Sequence, residues 1–184
     1  MRTFIAIDLP GAVLDALGAL SGRLRAAGVR ASWTKPENVH LTLRFLGEID
    51  EAAAGQLGDL LAERCADTKP FSLEVRGTGA FPNSRRPSVL WAGVGPVEGG
   101  LNALWEAAEN ASRAIGSPPE NREFSPHLTL ARIKDSREAG PLMELFEKER
   151  DFYAGEFTVS SVSLFSSRLT PRGPVYTRLR EFRF

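Results

Sequence analysis

His40-Leu41-Thr42-Leu43 and His127-Leu128-Thr129-Leu130 spell the same tetrapeptide, HLTL, 87 positions apart. They contain the only two histidines among 184 residues. On a strand, side chains alternate between faces, so each copy sets an imidazole beside a hydroxyl and turns two leucines the other way. Burying the leucines fixes the register, because a slip of one residue would bury the polar pair instead.

The flanks repeat as well. "RTFIAID" (2–8) is a short apolar run rich in strand formers. Pro10 suits the first turn of a helix in which Val13, Leu14, Leu17, Leu20 and Leu24 share one face, ending near Gly28. "NVHLTLRFLG" (38–47) follows as a strand, and Asp50 caps a second helix that runs to about Cys65. "FSLEVRGTGAF" (71–81) and "SVLWAGVG" (88–95) read as strands around a "PNSRRP" turn. The order then recurs: "LWAGVGP" (90–96) parallels "FIAIDLP" (4–10), and a helix through Leu101, Leu104, Trp105 and Ala108 ends near Gly116. "HLTLARI" (127–133) is the next strand. Asp135 and Glu138 form a capping-box pair before a helix with Leu142, Leu145 and Phe146. "EFTVSSVSLFSS" (156–167) and "VYTRLREFRF" (175–184) are the last strands, and "SRLTPRGPVY" (167–176) is a hairpin. Pro10 and Pro96 are 86 apart and the histidines 87, so one inserted residue reconciles the two halves. The expectation is an α+β fold forming a single bilobal domain over 1–184. Its internal repeat covers about 1–87 and 88–184, with mainly antiparallel sheets backed by helices. A pseudo-two-fold axis would bring both His-Thr pairs into one cleft between the lobes.

Composition sets the outer limits. Hydrophobic residues make up 42% and charged residues 25%, as in ordinary globular chains. Lys and Arg total 23, as do Asp and Glu, and a net charge of zero argues against coating long nucleic acid through many phosphate contacts. Arginines outnumber lysines 19 to 4. That preference would suit phosphate recognition, but a codon bias toward Arg, Ala and Gly accounts for it more simply. A single cysteine, Cys65, excludes an intramolecular disulfide and a cysteine-rich zinc site, and it fits a reducing compartment. "MRTFIAIDLPG" is too short an apolar run for a signal peptide, and no segment is long and apolar enough to span a membrane. The chain reads as cytoplasmic, without membrane, metal or cofactor. It reads as a monomer because the pseudo-symmetry lies within one chain.

Two imidazoles flanking one substrate suit cleavage of a 2′,3′-cyclic phosphate. One takes the proton of the attacking water while the other protonates the departing ribose oxygen, both near the working pH. Threonine hydroxyls can donate to the charge that gathers on the non-bridging oxygens. A two-histidine metal site lacks a third ligand, since Glu48, Glu123 and Asp135 do not share the His-Thr face in a ligand spacing. Alternation puts Arg44 on the cleft face, at a phosphate or at the solvent rim. It puts Arg132 on the face away from His127. Phe4 and Trp33 are either base-stacking platforms or core. Ser167 and Tyr176 are candidate rim contacts.

With these residues in view, the paired HLTL elements resemble the His-x-Thr-x motifs of the two-histidine (2H) phosphoesterase superfamily. "RTFIAID", "WTKPENVHLTLRFLGEI" (33–49), "FSPHLTLARI" (124–133) and "LFSSRLTPRGPVYTRL" (164–179) are similar to its RNA 2′,3′-cyclic phosphodiesterases of the LigT (ThpR) type. The resemblance implies a cleft between two lobes and metal-independent hydrolysis to a 2′-phosphomonoester. It implies His40 as proton donor, His127 as proton acceptor, Thr42 and Thr129 as their partners, and RNA 3′ ends or small cyclic nucleotides as substrates. A 2′,5′ RNA ligase or 2′,5′-phosphodiesterase and a non-catalytic RNA-end or nucleotide binder are the alternatives.

Overall fold

The computed structural model describes residues 1–171 and 173–184. The first half forms β1 (Arg2–Ile7), α1 (Gly11–Arg25), a short β2 (Ala31–Trp33), β3 (Leu41–Glu48), α2 (Glu51–Cys65) and β4 (Phe71–Phe81). The second forms β5 (Val89–Gly95), α3 (Gly100–Ala114), β6 (His127–Ile133), α4 (Gly140–Lys148), β7 (Tyr153–Val159), β8 (Ser161–Thr170) and β9 (Gly173–Arg183). The fold is α+β with two antiparallel sheets. One has the order β3-β1-β8-β9 and the other β2-β6-β5-β4-β7.

Neither sheet belongs to one half of the chain. β4, from the first half, pairs with β5 in the second sheet, while β8, from the second half, pairs with β1 in the first. The run expected as one strand over 156–167 therefore divides at Ser160: β7 pairs with β4 and β8 with β1, in different sheets. β2, three residues at the edge of the second sheet, pairs with β6 and was not anticipated, because so short a segment carries no period. β8 and β9 pair from Ser161↔Arg183 to Thr170↔Gly173 as the expected hairpin; Arg172, within the stretch expected as its turn, lies outside the described residues.

Local chemistry explains the helices. Asp50 caps α2, its Oδ1 accepting the Ala53 amide at 2.7 Å. Leu57 and Leu61 on its inner face are fully buried. The capping box at Asp135 and Glu138 is not formed as expected. Asp135 instead caps a 3-10 turn (Ser136–Glu138) through the Arg137 amide, and α4 begins only at Gly140. Pro141 cannot donate a backbone N–H, so it sits well at this new start. One continuous core unites both sheets and all four helices, including Leu17, Leu61, Leu104 and Leu142. A smaller apolar layer of Phe4, Ala6 and Phe165, with Tyr176 against it, is separate from that core. No helix of the described residues is long and apolar enough to cross a membrane.

Candidate active site

Leu41 and Leu128 are fully buried, and Leu43 and Leu130 nearly so. Each such leucine contributes roughly 1.5–3 kcal/mol by burial, which anchors both strands. His40, Thr42, His127 and Thr129 consequently face away from the core, and all four line one cavity of about 270 Å³. Typical ligand pockets run about 300–1,000 Å³, so this one is just below the usual small-ligand range.

The two imidazoles are held alike. His40 Nδ1 lies 2.9 Å from the Asn38 carbonyl, and His127 Nδ1 lies 2.7 Å from the Ser125 carbonyl. A carbonyl only accepts, so Nδ1 carries the proton in both rings and Nε2 is the nitrogen left for chemistry. Among the described residues no hydrogen bond within the protein engages either threonine hydroxyl, which leaves both for a ligand.

The surroundings differ. The His40 ring stacks on Phe4 at 4.7 Å and meets Tyr176 edge-on at 5.2 Å. Burial pushes its pKa below the ordinary histidine value, opposed by the bond to the Asn38 carbonyl and the charge of Asp8. His127 instead meets Phe81 edge-on at 4.9 Å, with Trp91 tilted beyond it at 6.5 Å. Trp91 can lie there because its cross-strand partner is Gly79, where a Cβ would stand 2.1 Å from the indole.

Both strands break alternation just after HLTL. Ala6 pairs with Thr42 but Ile5 with Arg44, so Leu43 is an extra residue in β3. Trp91 pairs with Thr129 but Leu90 with Ala131, so Leu130 is the extra residue in β6. The bulges correct two expectations. Arg44 does not reach the cleft and is only 7% exposed, and Phe45 takes its place on the cavity wall. Arg132, expected on the opposite face, turns into the cavity. The second copy held the signal: strict alternation there would expose Ala131 and bury an arginine, which is costly without a partner.

Arg44 points instead toward α3, which packs against β3, and toward the segment that follows that helix. Its Nε is 2.9 Å from Glu109 Oε2 on α3, an ionic contact whose N–H is not aligned on that oxygen. Nη1 lies 3.4 Å from Glu120 Oε2, and Nη2 donates a short bond to the Pro118 carbonyl. Of the two readings of Phe4, base platform or core, its burial fits the second. At 2% exposure, beneath His40 and against Phe165, it has no face left for a base. Trp33 and Tyr176 line the cavity, and Ser167 is not among its lining residues.

A family model described as LigT like Phosphoesterase matches residues 7–91 and 94–176, most of the chain. An RNA 2′,3′-cyclic phosphodiesterase of Aeropyrum pernix is 40% identical over 165 residues, 90% of this chain and 93% of that one. The crystal structure of TT0787 of Thermus thermophilus superposes with a TM-score of 0.82 at 33% identity, covering 100% of this chain and 97% of that one. The structure of E. coli LigT complexed with 3′-AMP gives a TM-score of 0.76 at 25% identity, covering 99% and 97%.

Proposed function

The chain belongs to the LigT-like phosphoesterase family, and on that premise we propose that it hydrolyses RNA or nucleoside 2′,3′-cyclic phosphates to 2′-phosphomonoesters without a metal. The observation that carries this reading is the meeting of two imidazoles, each with Nε2 free, and two unengaged threonine hydroxyls around one small cavity.

In this mechanism a water oxygen attacks phosphorus in line with O3′. His127 Nε2 accepts the water proton while protonated His40 gives its Nε2 proton to O3′ as the phosphorus–O3′ bond breaks. The products are a 2′-phosphomonoester and a free 3′-hydroxyl. Thr42 and Thr129 donate to the non-bridging oxygens as charge builds there. Arg132 on the cavity wall brings the cation that the phosphate needs, and its field reaches Tyr176 on the other sheet. Phe45, exposed at the cavity wall, offers the aromatic surface for a base. The lowered His40 pKa makes its protonated form a readier donor and a scarcer one near neutrality. We assign the enzyme to the cytoplasm, where its single buried thiol, Cys65, stays reduced.

The test is hydrolysis of cytidine 2′,3′-cyclic phosphate by EDTA-treated protein, with the product isomer identified. Turnover to the 2′-phosphate is expected, falling about 10²- to 10⁴-fold in His40→Ala and in His127→Ala. Turnover that requires added metal, or binding without turnover, would overturn the reading.

A further inference from the structure

We infer that Arg44 is a positioning residue that holds the second histidine in place relative to the first, an inference that rests on the hydrolytic reading above. His127 reaches the cavity at the end of a segment, 115–126, that contains neither helix nor strand. The Ser125 carbonyl that orients its imidazole belongs to that segment, so any drift of the segment turns Nε2 away from the water it must deprotonate.

The segment starts with the Gly116 and Ser117 amides donating back to the Arg113 and Ser112 carbonyls of α3, and side chains hold the rest. Phe124 stacks on Trp105 of α3 at 5.2 Å. Glu109 of the same helix accepts the Glu120 amide at 3.1 Å. Arg44 grips both the Pro118 carbonyl and the Glu120 carboxylate while pairing with Glu109. Of these residues Arg44 alone comes from the strand of Thr42, two residues after it. It thus ties the first catalytic strand directly to the segment that presents His127. The planar guanidinium suits this task because its several N–H groups can address three acceptors at once, which an ammonium on a flexible stem does poorly. At the matching place after the second bulge stands Ala131, and the segment before His40 is held by other means: Asn38 donates to the Pro174 carbonyl at 3.1 Å. Arg44 does not line the cavity, so it acts through His127 and not on the substrate.

The experiment uses Arg44→Met, Glu109→Gln, the double variant and Arg44→Lys in the full chain. The double variant leaves no charge stranded between Arg44 and Glu109, so it keeps the test available if Arg44→Met fails to fold. With cytidine 2′,3′-cyclic phosphate, kcat is expected to fall about 10- to 100-fold, the scale of a small misplacement of a reacting group. KM should stay within about threefold, and the double variant should be no slower than Arg44→Met, because the Arg44–Glu109 pairing that Glu109→Gln removes is already lost in Arg44→Met. Arg44→Lys should recover part of the rate. Inorganic phosphate, titrated against the imidazole NMR signals, should perturb both rings of the wild type with one apparent Kd. In the double variant the His127 response should weaken while the His40 response persists. A folded double variant with wild-type kcat would overturn the inference, as would a lost kcat with the His127 response intact. If the wild type itself fails to turn over the cyclic phosphate, the hydrolytic reading falls, and the phosphate titration still reads the positioning of His127 by itself.

Discussion

The two HLTL strands share a backbone plan and differ in what surrounds it. Each presents a histidine tied through Nδ1 to the carbonyl two residues before it, then a threonine, then a bulge. Beneath His40 lies a stacked aromatic layer, whereas His127 meets aromatic rings only edge-on or tilted. Past the bulge the first strand offers Phe45 to the cavity and the second offers Arg132. The lesson is that a repeated backbone supplies the symmetric part of the reaction, two nitrogens and two hydroxyls. The unequal duties of acid and base fall to residues that the repeat does not share.

The shared part can be broken first. Thr42→Ala and Thr129→Ala are each expected to lower kcat about 10²- to 10³-fold, as for the loss of a donor to developing charge. Steady-state kinetics checks this, and similar losses for the two would mark them as equivalent partners. A wild-type rate in either would remove its hydroxyl from the reaction.

The unshared part after the bulge comes next. Arg132→Ala should reduce kcat/KM roughly 10- to 100-fold on the cyclic phosphate, the scale of a charge-assisted hydrogen bond of about 1.5–3 kcal/mol. Phe45→Ala should act mainly on KM, by roughly 10-fold from one lost stacking contact. A loss at Arg132 no greater than the one at Phe45 would mean that the arginine does not meet the phosphate.

The smallest effect concerns the aromatic layer. Burial holds the His40 pKa down, so admitting water must raise it toward the ordinary value of about 6.5. Tyr176→Ser removes the ring that stands edge-on to His40 at the cavity wall. NMR titration of the imidazoles should show the His40 midpoint move upward. With His40 as the proton donor, the alkaline limb of the kcat/KM profile should move the same way, because the protonated form then survives to higher pH. A downward shift would mean that Tyr176 is not part of what dries the ring.

How much of this was legible follows from which interactions are local. The alternation in HLTL put His40, Thr42, His127 and Thr129 on the outward faces of their strands, and they do line one cavity. Asp50 and the leucines after it marked α2, because a cap and a 3.6-residue period are written into neighbouring residues. The bulges at Leu43 and Leu130 were not legible by alternation, so Arg44 and Arg132 were assigned to the wrong faces and Phe45 was overlooked. Reading the second copy against the first would have helped, since Ala131 and Arg132 only make sense if the strand shifts by one. Strand exchange was out of reach for another reason: an alternating strand specifies which face is buried and not which neighbour it joins, a choice settled by packing over long separations.

That exchange bears on how the molecule is made. β1 is an interior strand of its sheet, flanked by β3 and by β8, so the register Ala6↔Ser163 joins positions far apart along the chain. While the nascent chain is emerging, β1 and β3 can pair, but the second flank of β1 stays unpaired until Ser161–Thr170 leaves the ribosome. Contacts so distant along the chain slow folding and leave an open strand edge in the interim. A ribosome stalled after Thr129 but before β8 therefore holds a chain that contains His40, Thr42, His127 and Thr129 yet lacks the strand that covers the second flank of β1 beneath His40.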